Sequence, residues 1–476
     1  MTATGLKPLS FRWILMGCIG ALVLFQSVDV FLTYRATSLL SRSKLRHAIR
    51  PLVAPQEDDL LHMNELMTEC LTRGDAIVSS RYMQPPLWRE SDTKDILAEV
   101  MRCPEAEVFL PIGIRSYGYC EDAMAYVKFL ETRAMPMWVY EIDFHIDGKT
   151  YSYHDLCPHT AVILMNHYWD GLPDRHDFPS TKKLILMPNV EMYDLKASHY
   201  HRVDYVLAKT KDAYQRITQW YDRDDNNRRN TSVYYTSHTT SDPTVLAKEA
   251  AKADPVTYTA APRNWENLTF FHANGHSTLK NTIELLDCWS SRPDFPPISI
   301  YSSDGGSNDT YWRHLRDGRP MLNVQYHNGV FVTPPMYGKM MLETSAIVCP
   351  SISEGFGHYI NQARAAGALV LTTDGAPMNE FIDEASGVLI TGVGARWNWD
   401  KTIMGSGTEF NVEHELICDT VDRVLALTPA ERSTRAANGQ TRYHEQQAYF
   451  KAAMAKFRRL LRQELTPGRT TSSGLQ

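Results

Sequence analysis

The chain has 476 residues, of which 43% are hydrophobic and 22% are charged, and its formal net charge is −6. This is the composition of an ordinary globular protein, and it excludes a wholly disordered chain, a collagen-like repeat and a transporter with many membrane spans. The chain also lacks the global excess of positive charge that nucleic-acid binding needs, so we expect no nucleic-acid partner.

The first element along the chain is apolar. Residues 13–34 read WILMGCIGALVLFQSVDVFLTY, which suits a single membrane span of roughly 20 residues. We predict a cytoplasmic tail over residues 1–12 and an uncleaved signal-anchor over 13–34, with a cleaved signal peptide as the alternative. Basic residues after this segment favour a cytoplasmic C-terminal side. Three Asn-x-Ser/Thr sequons, at Asn230, Asn267 and Asn308, favour the lumen instead, so charge alone leaves the topology open.

Short apolar runs alternate with helical segments over most of the remaining chain. After a predicted helical stem at 35–104, strands are predicted at 108–114, 137–142, 161–165, 183–187 and 204–208, within a first domain at 105–243. Residues 242–264 look irregular, a second domain is predicted at 265–444, and a helix at 445–466 is expected to pack back onto the first domain. This rhythm indicates an α/β fold with two Rossmann-like, doubly wound domains that face each other across a cleft.

The most informative segment is residues 346–382. A buried strand ends at Cys349, a loop carries Glu354-Gly355-Phe356-Gly357, and a helix follows. Glycines let the backbone approach a ligand closely, and the free N–H groups at a helix start favour phosphate. A carboxylate such as Glu354 cannot bind phosphate, but it suits the hydroxyl groups of a sugar. Because an isolated Gly-x-Gly after a strand is a weak signal, this segment alone leaves a phosphate site and an ordinary turn equally open.

The same residues resemble a known signature. The run Pro350-Ser351-x-x-Glu354-Gly355-Phe356-Gly357, followed by a helix, a glycine, a strand and Asp374-Gly375 to Glu380, resembles the donor-binding signature of retaining glycosyltransferases of the GT-B fold and the Glu-x7-Glu type. The segment FHANGHSTLKN, residues 271–281, is similar to the loop that carries a phosphate-binding lysine in that family. The resemblance spans about residues 265–395.

The resemblance implies a role for each matching residue. Glu354 would hold hydroxyl groups of the donor sugar, and Lys280 would neutralise the diphosphate as it leaves. The implied donor-binding residues are Gly275, His276, Gly355, Phe356, Gly357, His358 and Gln362. Two of these depart from the family. Gln362 stands where a second glutamate grips the ribose, and His276 stands where an arginine is common.

The first domain offers candidates at the ends of its predicted strands. Similar enzymes place a histidine near the donor sugar, and His167 directly follows the strand at 161–165. Arg115, Asn189 and Glu191 follow other strands and are acceptor-side candidates, because ligands bind at the carboxyl ends of parallel strands. Lys209 and Thr210 are a further candidate pair.

Together these features predict a membrane-anchored glycosyltransferase. It would move a sugar from a nucleotide-sugar donor to a glycan, protein or lipid acceptor, with retention and without a metal or other cofactor. The family resemblance implies a single-pass type II protein that faces the lumen of the Golgi or endoplasmic reticulum. The eight cysteines form no Cys-x-x-Cys pair, so no structural zinc site is expected.

Three alternatives remain. Gln362 and His276 are compatible with an inactive nucleotide- or sugar-binding protein, and the fold also suits a nucleotide-sugar epimerase. A metal-dependent transferase of another fold would need an Asp-x-Asp motif, and Asp222-Arg223-Asp224 is a formal match that lies in a polar break.

Overall fold

The computed structural model describes residues 59–81, 93–192, 194–223, 225–319, 321–396 and 408–464. The predicted tail and signal-anchor, residues 1–34, lie outside the described residues, as does Asp224 of the Asp-x-Asp match. Among the helices of the described part, none has both the length and the apolar character to cross a bilayer.

The first part of the chain builds a seven-stranded sheet, here the first sheet, in the order β1-β3-β2-β6-β7-β8-β9. Its strands are β1 (Val78–Ser79), β2 (Ala106–Phe109), β3 (Arg133–Met135), β6 (Ala161–Met165), β7 (Leu184–Met187), β8 (Tyr205–Ala208) and β9 (Ser232–Tyr235), and a separate hairpin joins β4 (Phe144–Ile146) to β5 (Lys149–Tyr151). Only the edge pair β1 and β3 is antiparallel within this sheet. Its central strands are continuous apolar runs because helices cover both faces.

Helices pack on both faces of the first sheet. They are α1 (Asp59–Thr72), α2 (Thr93–Val100), α3 (Tyr119–Phe129), α4 (Trp138–Glu141), α5 (Tyr153–Leu156), α6 (Ala197–Tyr200) and α7 (Lys211–Tyr221). Met63 and Leu66 of α1 enter the same core as α3, and a disulfide joins Cys70 to Cys120. The sequence places α1 and β1 in the stem, but their apolar side chains are buried in the first domain.

Three sequence predictions about secondary structure before residue 265 are wrong. The strand expected at 108–114 ends at Phe109, and a 3₁₀ helix over Ile112–Tyr117 follows Pro111. Residues 137–142 were expected to form a strand, but the strand β3 ends before Pro136 and α4 follows it. Proline lacks the N–H that a strand needs and fits the first turn of a helix. Residues 242–264 were expected to be irregular, yet Pro243–Ala253 is helical. Asp242 caps this helix by accepting a hydrogen bond from the Thr244 N–H at 2.9 Å.

The second part of the chain builds a six-stranded sheet, here the second sheet, with the order β12-β11-β10-β13-β14-β15 and parallel pairing throughout. Its strands are β10 (Phe270–Gly275), β11 (Ile298–Ser302), β12 (Val324–Asn328), β13 (Ala346–Cys349), β14 (Leu369–Thr373) and β15 (Val388–Ile390), and a hairpin joins β16 (Val393–Arg396) to β17 (Thr408–Asn411). The predicted α/β fold with two Rossmann-like parallel sheets is therefore confirmed.

Seven helices accompany the second sheet in the described part of the chain. They are α8 (Pro243–Ala253), α9 (Pro255–Tyr258), α10 (Thr282–Ser291), α11 (Gly305–Arg316), α12 (Pro334–Glu343), α13 (His358–Ala365) and α14 (His414–Ala426). A disulfide between Cys288 and Cys418 joins α10 to α14. The helix α13 starts at the loop that carries the donor signature, so its first turn is the element that the site depends on.

The last helix, α15 (Pro429–Glu464), contacts both domains. Phe450, Met454 and Phe457 enter the core of the first domain, whereas Ala436 enters that of the second. The sequence predicts this helix only from residue 445, whereas in the structure it begins at Pro429 and continues through Gly439. In the structure Gly439 packs closely against the carbonyl oxygen of Ser386. A Cβ at Gly439 would be 2.8 Å from that oxygen.

The contact between α8 and α12 gives a test of the fold. A Cβ at Gly338 would overlap the carbonyl oxygen of Pro243, so Gly338→Ala forces two backbones apart. We expect the free energy of unfolding to fall by about 1–3 kcal/mol, measured by urea denaturation. The control is Gly305→Ala, where a Cβ meets open space. An unchanged midpoint for Gly338→Ala would contradict this helix contact.

Candidate active site

The candidate site lies where the carboxyl ends of the two sheets meet. The loops after β7, β8 and β9 bring Glu191, Lys209 and His238 from the first domain. The loop after β13 brings residues 354–358 from the second. The contacts described below join these loops, so the structure brings the two halves of the predicted site together.

The signature loop is held by hydrogen bonds and an ion pair. The Ser351 hydroxyl donates to Glu354 Oε1 at 2.6 Å. The Lys280 ammonium pairs with the same oxygen and lies 4.1 Å from the centroid of the Tyr359 ring. Lys280 comes from the turn after β10. Glu354 and Lys280, two of the three residues predicted as catalytic beside His167, therefore touch each other, and both side chains keep some exposure to solvent, 9% for Glu354 and 17% for Lys280.

The turn before α13 contains a glycine in a left-handed conformation. Gly357 has a φ of 84° and precedes the first residue of the helix, a left-handed conformation that favours glycine. Phe356 is buried against Phe381 and His238, so its side chain anchors the turn. Because the phenyl ring is buried, the backbone of residues 355–357 is the part of this turn that can contact a ligand.

The first turns of α13 contact helix α3 of the first domain. His358 and Gln362 are one turn apart and share a face of the helix. The Gln362 amide donates to Glu121 Oε1 at 2.8 Å, and His358 Nε2 lies 3.1 Å from Asp122 Oδ1. The amide nitrogen of Gln362 is therefore committed to Glu121. Its Oε1 accepts from the Tyr337 hydroxyl at 3.5 Å and keeps a second lone pair that can accept from a ligand hydroxyl.

Asp122 is the centre of a buried charge network. Both of its oxygens lie 3.0 Å from the Lys209 ammonium, and His238 Nε2 lies 3.0 Å from Oδ1. Burial by itself would raise the pKa of Asp122, but Lys209 and His358 overcome this effect and hold the pKa well below its ordinary value. Burial lowers the pKa of His238 to about 4, so this histidine is neutral at pH 7.

Asp122, His238 and His358 offer three possible metal ligands within 4.8 Å of one another. The Lys209 ammonium lies on both oxygens of the carboxylate, and its positive charge disfavours a divalent cation at the same group. We assign no metal to these residues, and metal independence stays a prediction.

Three first-domain candidates have distinct surroundings. His167 is half-buried, its Nδ1 is buried without a hydrogen-bond partner, and burial lowers its pKa. The Asn189 N–H donates to Asn166 Oδ1 at 2.7 Å, while Asn189 Oδ1 is buried without a partner.

Arg115 is buried and donates to the carbonyl oxygen of Ala76 at 3.1 Å, and burial lowers its pKa to about 10. Its contacts therefore point toward α1 and away from the signature loop.

The remaining candidates lie at the carboxyl end of β10. Gly275 and His276 are exposed there, and the neighbouring Asn274 is buried with both of its amide atoms unpaired. Asn274 belongs to the recognised FHANGHSTLKN segment but was not a predicted site residue. The roles of all of these residues stay predictions.

Sequence reasoning missed the residues that join the domains. Glu121 and Asp122 stand in the first turn of α3, where acidic residues are common because they suit the helix dipole. Every residue of α3 is buried, Lys128 among them, and an adjacent acidic pair at the start of a mostly apolar helix is the signal that would have found Glu121 and Asp122. His238 follows an edge strand and carries no comparable signal.

No model of a known protein family matches the sequence, and no curated protein matches it. Three similar solved structures are TarM, an α,α-trehalose-phosphate synthase (UDP-forming) from Burkholderia vietnamiensis and a sucrose-phosphate synthase from Thermosynechococcus elongatus. Their sequence identities are 13%, 11% and 13%, with TM-scores of 0.45, 0.47 and 0.47. The matches cover 67%, 64% and 70% of this chain and 61%, 75% and 84% of those chains.

The chain thus spans less than two thirds of the length of TarM. Since all three TM-scores lie below 0.5, these similarities carry no argument about activity. The fold is assigned from the strand order, and the function is argued from the site.

The network around Asp122 gives a test by stability. Asp122→Asn leaves the Lys209 ammonium buried without a counter-charge, so we expect the free energy of unfolding at pH 7 to fall by about 3–5 kcal/mol. The double variant Asp122→Asn with Lys209→Met removes both charges and should recover most of this loss. Urea denaturation measures both. Asp174→Asn, whose ion pair with Arg202 is exposed, is the control and should cost about 0–1 kcal/mol.

The pH dependence has a defined sign. A carboxyl group whose pKa is lowered by folding stabilises the protein above its unfolded pKa, 3.8 for Asp122, and loses this contribution as the pH falls below it. The stability difference between wild type and Asp122→Asn should therefore be full at neutral pH and shrink below pH 3.8. A difference that grows as the pH falls would contradict the network.

Proposed function

We propose that the chain is a glycosyltransferase of the GT-B fold that moves a sugar from a nucleotide-sugar donor to a glycan, protein or lipid acceptor. One observation carries this proposal. The contact between Lys280, Glu354 and Ser351 lies beside the start of α13, where the carboxyl ends of both sheets meet. A carboxylate, an ammonium and free helix N–H groups are together the chemistry that a sugar diphosphate requires.

Each group has a defined task in this proposal. Glu354 accepts hydrogen bonds from sugar hydroxyls, which a carboxylate does well because both of its oxygens are acceptors. Lys280 offsets the negative charge that develops on the diphosphate as the glycosidic bond breaks. The backbone of residues 355–357 and the start of α13 bind the diphosphate. The Gln362 oxygen accepts from a hydroxyl of the nucleotide.

We extend the proposal to stereochemistry and cellular setting. Transfer would proceed with retention and without a metal, as the resemblance implies, and the segment at 13–34 would anchor the protein in a Golgi or endoplasmic reticulum membrane. The described part of the chain after the proposed anchor contains three disulfides, Cys70–Cys120, Cys103–Cys157 and Cys288–Cys418. They support an oxidising compartment for this part of the protein.

A second candidate function is nucleotide-sugar binding without turnover. The hydrogen bond between Gln362 and Glu121 favours it, because the expected ribose carboxylate is replaced by an amide whose nitrogen is already used. The two functions differ in one measurement. A transferase releases the nucleoside diphosphate from its donor, whereas a binding protein is stabilised by the donor and leaves it intact.

The transferase proposal is tested with the purified protein and a panel of UDP- and GDP-sugars. We expect one donor to raise the melting temperature by mass action and to be converted to its nucleoside diphosphate. Lys280→Ala should lower kcat about 10²–10³-fold, since one electrostatic contact to the leaving group is lost. Lys252→Ala is the control, because the side chain of Lys252 is 72% exposed on α8. Full activity of Lys280→Ala would refute the assignment of Lys280.

A further inference from the structure

Glu191 contacts the signature loop from the opposite domain. It follows β7 at the carboxyl edge of the first sheet. A Cβ at Gly355 would overlap both carboxylate oxygens of Glu191, so the carboxylate lies directly against the backbone beside Glu354. Asn166 links Tyr119 to the turn that carries Glu191: it donates to the Tyr119 hydroxyl at 2.7 Å and accepts from the Asn189 N–H.

One oxygen of this carboxylate has no partner. Glu191 Oε2 is buried and makes no hydrogen bond, and the nearby Asn189 Oδ1 is buried and unpaired as well. Buried polar atoms in folded proteins are nearly always hydrogen-bonded. Two unpaired acceptors on one turn, at the edge where ligands bind, therefore point to a ligand that brings its own hydroxyl group.

The other carboxylates at this junction are already engaged. Glu354 Oε1 accepts from Ser351 and pairs with Lys280. Asp122 holds the Lys209 ammonium on both of its oxygens. Glu121 accepts from Thr240, from Gln362 and twice from Ser241. Among these four carboxylates, Glu191 is the one with a buried oxygen that has no hydrogen-bond partner.

The charges around Glu191 suit proton transfer near neutral pH. Burial raises the pKa of Glu191 to about 7, Lys209 opposes this rise, and Glu354 and Asp122 add to it. The titratable groups that face Glu191 are Lys209, Glu354, Asp122, Tyr119 and Tyr200. A general base is most effective when its pKa lies near the working pH.

We propose that Glu191 is the general base of the transfer reaction. As the acceptor oxygen forms its bond to C1 of the sugar, its O–H proton passes to the Glu191 carboxylate. The bond from C1 to the diphosphate breaks, and its electron pair leaves on the diphosphate beside Lys280. Because the two bonds form and break in one step, retention requires that both events take place on the same face of C1. The inference rests on the proposed transferase function.

The test uses the nucleotide sugar that the panel of UDP- and GDP-sugars selects, with water as the acceptor, so no acceptor needs to be known. The rate of nucleoside diphosphate release by wild type should rise with pH through about 7 as Glu191 ionises. In Glu191→Gln the rate should fall about 10²–10⁴-fold and this rise should disappear. The donor Kd, measured by calorimetry, should stay within about threefold, because a base acts on the chemical step.

A second variant and a control complete the test. Gly355→Ala places a methyl group where the Glu191 carboxylate lies, so it should lower the rate of release and weaken the rise of the rate with pH through about 7, whereas a loss of diphosphate contacts would instead raise the donor Kd. Gly355→Ala replaces Glu191→Gln as the test if Glu191→Gln does not fold. Glu249→Gln, at a half-exposed glutamate of α8, is the control and should keep both the rate and the pH profile.

The outcomes separate the two proposals. If wild type releases nucleoside diphosphate but Glu191→Gln keeps the rate or the pH-dependent rise, the role of Glu191 is refuted and the transferase function stands. If Glu191→Gln does not fold and Gly355→Ala keeps the wild-type rate, the role of Glu191 is likewise refuted. If wild type releases none from any donor in the panel, the proposed function fails, and the role of Glu191 fails with it.

Discussion

The buried carboxylate of Asp122 joins the first domain to the first turn of α13 in the second. Removing a carboxylate from water costs several kcal/mol, and here the Lys209 ammonium, 3.0 Å from both oxygens, offsets that cost within the first domain. His238 of the first domain and His358 of the second converge on the same carboxylate. Because His358 begins α13, its contact with Asp122 holds the start of that helix, and with it the signature loop, against the first sheet.

The same arrangement leaves one acidic group with a buried oxygen that has no hydrogen-bond partner. Asp122, Glu121 and Glu354 are held by an ammonium or by several hydrogen-bond donors. Glu191 shares the burial without an equivalent set of partners, and burial raises its pKa to about 7. Glu191 thus differs from the other three carboxylates in its hydrogen bonding, and this difference makes it the group suited to exchange a proton.

Much of the fold follows from short apolar runs in the sequence. The predicted strand at 161–165 coincides with β6, and those at 183–187 and 204–208 begin one residue before β7 and β8, because a central parallel strand must be apolar on both faces. The prediction at 137–142 was wrong because apolarity alone does not distinguish a strand from a buried helix. The helix at Pro243–Ala253 was missed because its cap, Asp242, lies among residues that look like a linker.

The sequence by itself determined the two-domain α/β architecture and pointed to Glu354 and Lys280, because strand periodicity and a glycine-bearing loop are local patterns. Only the tertiary structure decided that Lys280 pairs with Glu354, that Gln362 donates to Glu121, and that Glu191 lies against Gly355. These contacts join residues that are 74, 241 and 164 positions apart in the chain. Burial and charge at such a junction arise only when distant segments exclude water together, and no local pattern of residues encodes that.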